Sequence, residues 1–160
     1  QPIFEKALQS KSYSVIGKGL VSLYYTDKAK AIAKAKVLPD EIRQILATPL
    51  TKIFIEEKDE TELPFVAKNV LSGMYLSNDK KNQKMYKKAF EQIAKSNNME
   101  AIKNLTEDIV AKGKQYAQYG FNKVGINLLR QMVQFQNKAN HNNKVKNQAF
   151  IQLALEQLVK

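Results

Sequence analysis

Residues 80–95 read KKNQKMYKKAFEQIAK, and this stretch shows the fold class most clearly. Its apolar side chains recur every three or four residues, the spacing that places them on one face of a helix: Met85, Tyr86, Ala89, Phe90 and Ile93. The lysines fall on the outer face: Lys80, Lys81, Lys84, Lys87, Lys88 and Lys95. An amphipathic helix buries its apolar stripe against other elements, so the stretch predicts a helical domain.

The same periodicity extends in both directions along the chain. It predicts helices over 3–25, 28–37, from Pro39, from Pro64, 98–118, 121–137 and 144–159. Pro49 should end the helix that starts at Pro39, because a residue before proline avoids the α region. The segment 50–57 fits either a helix or a short strand. We therefore expect an all-α fold, a compact bundle of about six to eight helices.

Length and composition indicate one globular domain over residues 1–160. Of its 160 residues, 44% are hydrophobic and 26% charged, the balance of a folded chain. If the domain has two halves, the acidic connector at 56–63 is the hinge between them.

No apolar run approaches the roughly 18 residues that a membrane span needs, so we expect no membrane-spanning helix. Cysteine is absent, which excludes disulfides and thiolate chemistry.

The sequence shows no pattern of catalytic, metal-binding or cofactor-binding residues. Gly17-Lys18-Gly19 lies inside the first predicted helix and lacks the spacing of a phosphate loop, so it predicts a kink or a close helix contact. The only histidine, His141, lies in an Asn-rich turn and cannot form a zinc site without cysteines. We expect it to be solvent-exposed. The chain is therefore predicted not to be an enzyme, with no metal and no cofactor.

The formal net charge of +11 is distributed unevenly. Residues 1–65 hold 10 basic and 9 acidic side chains, whereas residues 66–160 hold 16 basic and 6 acidic ones. From Ile109 onward the only acid is Glu156. An excess of Lys, Asn and Gln is also what an AT-rich genome produces, but such a bias should not deplete acids from one half only. The asymmetry favours a C-terminal half that faces a polyanion.

Seven cations form the candidate nucleic-acid-binding site: Lys112, Lys114, Lys123, Arg130, Lys138, Lys144 and Lys146. Tyr116, Tyr119 and Phe121 interleave with them, and amide side chains surround them. Lysines neutralise phosphates, amides position a backbone, and exposed aromatic rings stack bases. The alternative is a solvated Lys-rich face over a helical core in which these aromatic rings are buried.

The stretch IKNLTEDIVAK at 102–112, the Tyr-rich corner at Gly120 and Leu128-Leu129-Arg130 carry a resemblance of pattern. They resemble the helical C-terminal part of large subunits in type I CRISPR effector complexes, and also the small helical subunits of those complexes. The resemblance has no invariant motif. It implies a non-catalytic helical module that packs along the complex and holds guide RNA or displaced DNA with lysines.

These patterns predict a cytoplasmic module that binds the backbone of RNA or single-stranded DNA, together with protein subunits of a larger complex. The chain begins Gln1-Pro2 without Met, which fits a removed leader, a trimmed product or an internal fragment. The alternative is an exported, periplasmic helical protein of an AT-rich bacterium that binds a protein or envelope partner after removal of a signal peptide.

Overall fold

The computed structural model describes residues 2–160, and in this range it is helical, with eleven α-helices and no strand. The all-α prediction is confirmed. The expected count of six to eight helices is wrong, because several stretches with continuous periodicity are broken into two helices. The chain divides into two compact units, one ending at Glu57 and the other running from Lys58 to Lys160.

The N-terminal unit contains five helices: α1 (Pro2–Leu8), α2 (Tyr13–Thr26), α3 (Lys28–Lys36), α4 (Asp40–Ile45) and α5 (Ala47–Glu56). Asp27 begins α3, because its side chain accepts a hydrogen bond from the Lys30 amide at 3.1 Å. The core of this unit includes Leu20, Leu23, Leu50 and Phe54, all fully buried.

The predicted helix over 3–25 is two helices, and the break lies before Tyr13 rather than at the glycines. Ser12 has an extended backbone in the position that precedes α2. The chain therefore folds back there, and α1 packs on α2. A Cβ on Gly19 would lie 2.7 Å from the Cβ of Ala7, so glycine allows this close helix contact. The predicted contact is confirmed, and Gly17 and Gly19 lie inside a helix.

Pro49 does not end a helix as predicted. It lies in the first turn of α5, and the break falls at Leu46, one turn earlier. Proline is tolerated there because the first amide groups of a helix have no intrahelical acceptor. The ambiguous segment after Pro49 is helical, and Ile53, Phe54 and Ile55 are buried in it.

The boundary between the two units lies inside the acidic connector. Glu56 ends α5, and Glu60–Glu62 form a single 3-10 turn before the next helix. Asp59 caps that turn by accepting a hydrogen bond from the Thr61 amide at 3.1 Å. The connector is thus shorter than the predicted loop, because three of its acids, Glu56, Glu60 and Glu62, belong to helical turns.

The C-terminal unit contains six helices: α6 (Leu63–Ala67), α7 (Val70–Tyr75), α8 (Lys80–Lys95), α9 (Met99–Gln115), α10 (Phe121–Lys138) and α11 (Lys144–Val159). Helix α9 packs against α6, α10 and α11, while α8 packs against α7 and α10. Ile102, Leu105 and Ile109 of α9 are fully buried. Each such side chain contributes about 1.5–3 kcal/mol through burial.

Two more predicted helices are interrupted in this unit. The helix expected from Pro64 is divided at Lys68 and Asn69, and the one over 98–118 ends at Gln115, followed by a 3-10 turn at Ala117–Tyr119. Gly120 follows with φ 78°, the left-handed conformation in which glycine commonly ends a helix. Across the described residues, no helix combines the length and apolar character of a membrane span.

Candidate nucleic-acid interface

Helix α10 presents one polar face to solvent that contains no acid. Its exposed side chains all project within about a third of a turn of one another: Lys123, Asn127, Arg130, Gln131, Gln134, Asn137 and Lys138. We call this set the α10 face. Three of the seven predicted cations belong to it. Because the other four members are uncharged, nothing on the face itself neutralises those cations.

The two predicted cations of α9 lie on different sides of that helix. Lys112 is only partly exposed and forms an ion pair with Asp108, one turn earlier. Lys114 lies about 200° further around the helix axis and its Nζ donates to Oε1 of Gln157 at 3.3 Å. The seven predicted residues therefore do not form one continuous patch.

The remaining two cations lie at the start of α11. Nζ of Lys144 donates to the backbone carbonyl of Asn137 at 2.7 Å, at the negative end of the α10 dipole. Lys146 is exposed. The charge of Lys144 is thus held at the end of α10 by the carbonyl of Asn137, the residue before Lys138.

Four aromatic residues surround a pocket of about 310 Å³ between α7, the end of α9 and the start of α10. We call it the aromatic pocket; its walls include Leu71, Tyr75, Lys112, Tyr116, Tyr119 and Phe121. The Phe121 ring meets Tyr75 edge-on, with 5.2 Å between centroids, and Tyr116 at 6.4 Å. Tyr119 is 78% exposed and Tyr116 41%. The burial that the alternative expected for these aromatic rings is therefore wrong for the two tyrosines, whereas Phe121 is half-buried.

The corner at Gly120 places three of these rings together. The Tyr116 amide donates to the carbonyl of Lys112 at 2.9 Å, which closes the last turn of α9. The Phe121 amide then donates back to the carbonyl of Tyr116 at 3.3 Å. Because the left-handed backbone of Gly120 reverses the chain between them, Tyr116 and Phe121 face the same pocket.

The walls of the aromatic pocket are largely uncharged. The Tyr75 phenol is neutral near pH 7 and can donate a hydrogen bond, and burial raises its pKa above the ordinary value. The one cation in the wall is Lys112, whose charge is opposed by Asp108. The pocket can therefore receive a flat apolar or aromatic group with a polar edge.

A second row of cations, outside the seven predicted residues, lies on α8. Lys80, Lys81, Lys84, Lys87, Lys88 and Lys95 are all exposed, as the periodicity predicts. Glu91 is the one acid among them, and it lies 3.7 Å from Lys95. Nζ of Lys95 also lies 4.8 Å from the centre of the Phe135 ring of α10. The 3.6-residue spacing predicts this row, and its lysines are part of the basic excess after residue 65.

His141 is not the solvent-exposed residue that was predicted. It is half-buried, and both ring nitrogens are shielded from solvent without a hydrogen-bond partner.

Two buried amide side chains lie nearby in the chain. Gln136 donates to the carbonyls of Ala94 at 2.8 Å and Ser96 at 3.1 Å. Asn147 donates to the carbonyl of Ser96 at 3.2 Å. These amides join the ends of α8, α10 and α11.

Among residues 2–160, no three His, Asp or Glu side chains approach closely enough to hold a metal ion.

No protein-family model, curated protein or solved structure matches the chain. The similarity to CRISPR effector subunits therefore stays a prediction.

Proposed function

We propose that this protein is a non-catalytic module that binds single-stranded RNA or DNA without sequence preference, as part of a larger cytoplasmic complex. The observation that carries the proposal is the aromatic pocket, with Tyr116 and Tyr119 at the surface of a basic unit. The unit from Lys58 to Lys160 contains 17 basic and 9 acidic residues.

Exposed tyrosines beside a pocket are suited to stacking unpaired bases. Each base stacked on an aromatic ring contributes about 1–3 kcal/mol, and the contact tolerates any base because all four have a π face. In a duplex the bases already stack on one another, so a single strand is the better ligand for this pocket. Tyr119 is the outermost ring and should make the first contact.

The α10 face supplies the contacts to phosphate. Lys123 and Arg130 lie two turns apart on it, and Lys123 is only two residues from Phe121 of the aromatic pocket. A strand that stacks a base in the pocket could therefore continue along α10. Amide side chains between the cations can hydrogen-bond phosphate or sugar oxygens without reading sequence.

The direct test is fluorescence anisotropy of a labelled single strand of roughly 30 nucleotides across a salt series, with the matching duplex alongside. Each phosphate neutralised on a single strand contributes about −0.7 to the slope of log K against log salt. Replacing Lys123, Arg130 and Lys138 together with Gln should make that slope shallower by about 2. The matched control replaces three exposed lysines of the N-terminal unit, Lys6, Lys11 and Lys18, and should leave the slope unchanged.

The stacking contacts are tested separately from the charges. Tyr119→Ala should weaken binding of the single strand roughly 5- to 150-fold, the equivalent of 1–3 kcal/mol, without changing the salt slope. Tyr116→Ala tests the second exposed ring and should also weaken binding. Tyr13→Ala is its matched control, because Tyr13 is 45% exposed and Tyr116 41%, but Tyr13 lies in the other unit. Equal affinities for Tyr119→Ala and the unchanged protein, or no binding at about 50 mM salt, would contradict the proposal.

A further inference from the structure

Helix α11 carries apolar side chains on its solvent face. Val145, Ala149 and Leu153 are exposed at four-residue intervals, and Phe150 beside them is half-buried. The opposite face already buries Ile151, Ala154 and Leu158 in the unit. A helix that packs on one side only is expected to be polar on the other, so the second apolar row indicates an interaction surface.

This row borders a groove of about 440 Å³ between α9 and α11, which we call the α9–α11 groove. Its apolar walls come from Val110 and Ala111 of α9 and from Phe150 and Leu153 of α11. Along α9 it extends from Lys103 to Lys114, which corresponds to about 17 Å, or three turns of helix. A groove between two packed helices can accept the side-chain ridge of a third helix.

The charges around the groove select the chemistry of its occupant. Lys103 and Lys114 lie at its two ends, and its one acid, Glu107, lies 3.9 Å from Lys103. Exposed Lys146 adds a positive charge on α11. A second copy of this chain also carries +11 and would be repelled. A helix with acidic side chains beside its apolar ridge is complementary to this rim.

We propose that the α9–α11 groove docks one amphipathic, acidic-flanked helix of a partner protein. The apolar ridge of that helix lies against Phe150 and Leu153, and its carboxylates lie near Lys103 and Lys114. This mode of recognition uses apolar anchors at helical spacing, with charges that set specificity. None of these residues lines the aromatic pocket, but Lys114 is also one of the seven predicted cations, so single-strand binding is compared on a variant that keeps Lys114.

The test uses a displayed library of helical peptides of about three turns, with Leu fixed at positions i, i+3, i+4 and i+7 and the flanking positions randomised. Selection is run in parallel on the unchanged full chain and on Leu153→Lys. Ile45→Lys is the matched control, because Ile45 is 55% exposed and Leu153 57%, yet Ile45 lies in the other unit. Circular dichroism checks that both variants keep the stability of the unchanged protein.

We expect the unchanged chain to enrich peptides with Asp and Glu at the flanks. A recovered peptide should bind at least tenfold more weakly to Leu153→Lys and to a Lys103→Glu/Lys114→Glu variant, and equally well to Ile45→Lys. Leu153→Lys should bind single-stranded DNA as well as the unchanged chain does, which separates this proposal from the proposed function.

Three results would overturn the proposal: enrichment no greater on the unchanged chain than on Leu153→Lys, selection of basic flanks, or a concentration-dependent dimer that Leu153→Lys abolishes. The last would show that a second copy occupies the groove.

Discussion

Replacing Gly73 with Ala should destabilise the protein, because α7 packs on α8 at this residue. An added Cβ would lie well under 3.0 Å from Cγ, Cδ2 and Cε2 of Tyr86. Tyr86 is buried, and the overlap involves the middle of its ring rather than its free end. The ring therefore cannot avoid the new methyl group by a small rotation, and α7 must move away from α8.

The size of the effect follows from two opposing contributions. Overpacking of a core costs about 1–3 kcal/mol. Replacing glycine inside a helix returns up to about 1 kcal/mol of helix propensity. We expect a net loss of about 1–2 kcal/mol in the free energy of unfolding. Because Tyr75 lies two residues further along α7, the shift should also disturb the aromatic pocket and weaken binding of a single strand.

Urea unfolding followed by circular dichroism measures this loss, with Gly113→Ala as the control in the same unit. A Cβ on Gly113 would meet methyl carbons of Leu158, the nearest at 2.9 Å, and these can rotate away. Gly113→Ala should therefore cost less than Gly73→Ala. If Gly73→Ala is as stable as Gly113→Ala, the close packing of α7 on α8 is refuted.

Three further perturbations test separate features of the structure. Gly120→Ala should cost about 1–2 kcal/mol in a thermal melt through backbone strain alone, since nothing lies within 4 Å of the added Cβ; an unchanged midpoint would contradict the left-handed corner. Gln136→Leu leaves the carbonyl of Ala94 without its donor and should cost about 1–3 kcal/mol in urea, whereas a neutral result would exclude the buried amide link. The Lys28 ammonium and the Tyr24 hydroxyl lower the pKa of the Glu57 carboxyl from its ordinary value of 4.5. The ion pair between Lys28 and Glu57 therefore stabilises the protein above pH 4.5, and this contribution is lost as the pH falls through the lowered pKa of Glu57. The stability difference between the unchanged chain and Glu57→Gln, followed by denaturation at each pH, should therefore disappear at acid pH, and a constant difference would argue against the interaction.

Local patterns in the sequence correctly predicted the long helices. The lysine and apolar faces of α8 follow directly from a 3.6-residue repeat, because each side chain's direction depends only on its position along one helix. The start of α3 at Asp27 and the left-handed Gly120 were predictable for the same reason: capping and backbone sterics act within a few residues. The helix breaks near Ser12 and Asn69 were not predictable, because the apolar stripe in the sequence continues across each short interruption.

The sequence by itself thus determined an all-α chain with its positive charge concentrated after residue 65. Only the tertiary structure decided which of those charges share a surface. It placed Lys114 beside Gln157 of α11, placed Tyr75 beside Tyr116 and Phe121, and shielded the ring nitrogens of His141. The physical reason is that exposure and convergence depend on which helices pack together, and that packing is set by contacts between residues far apart in the chain, as between Gln136 and Ala94.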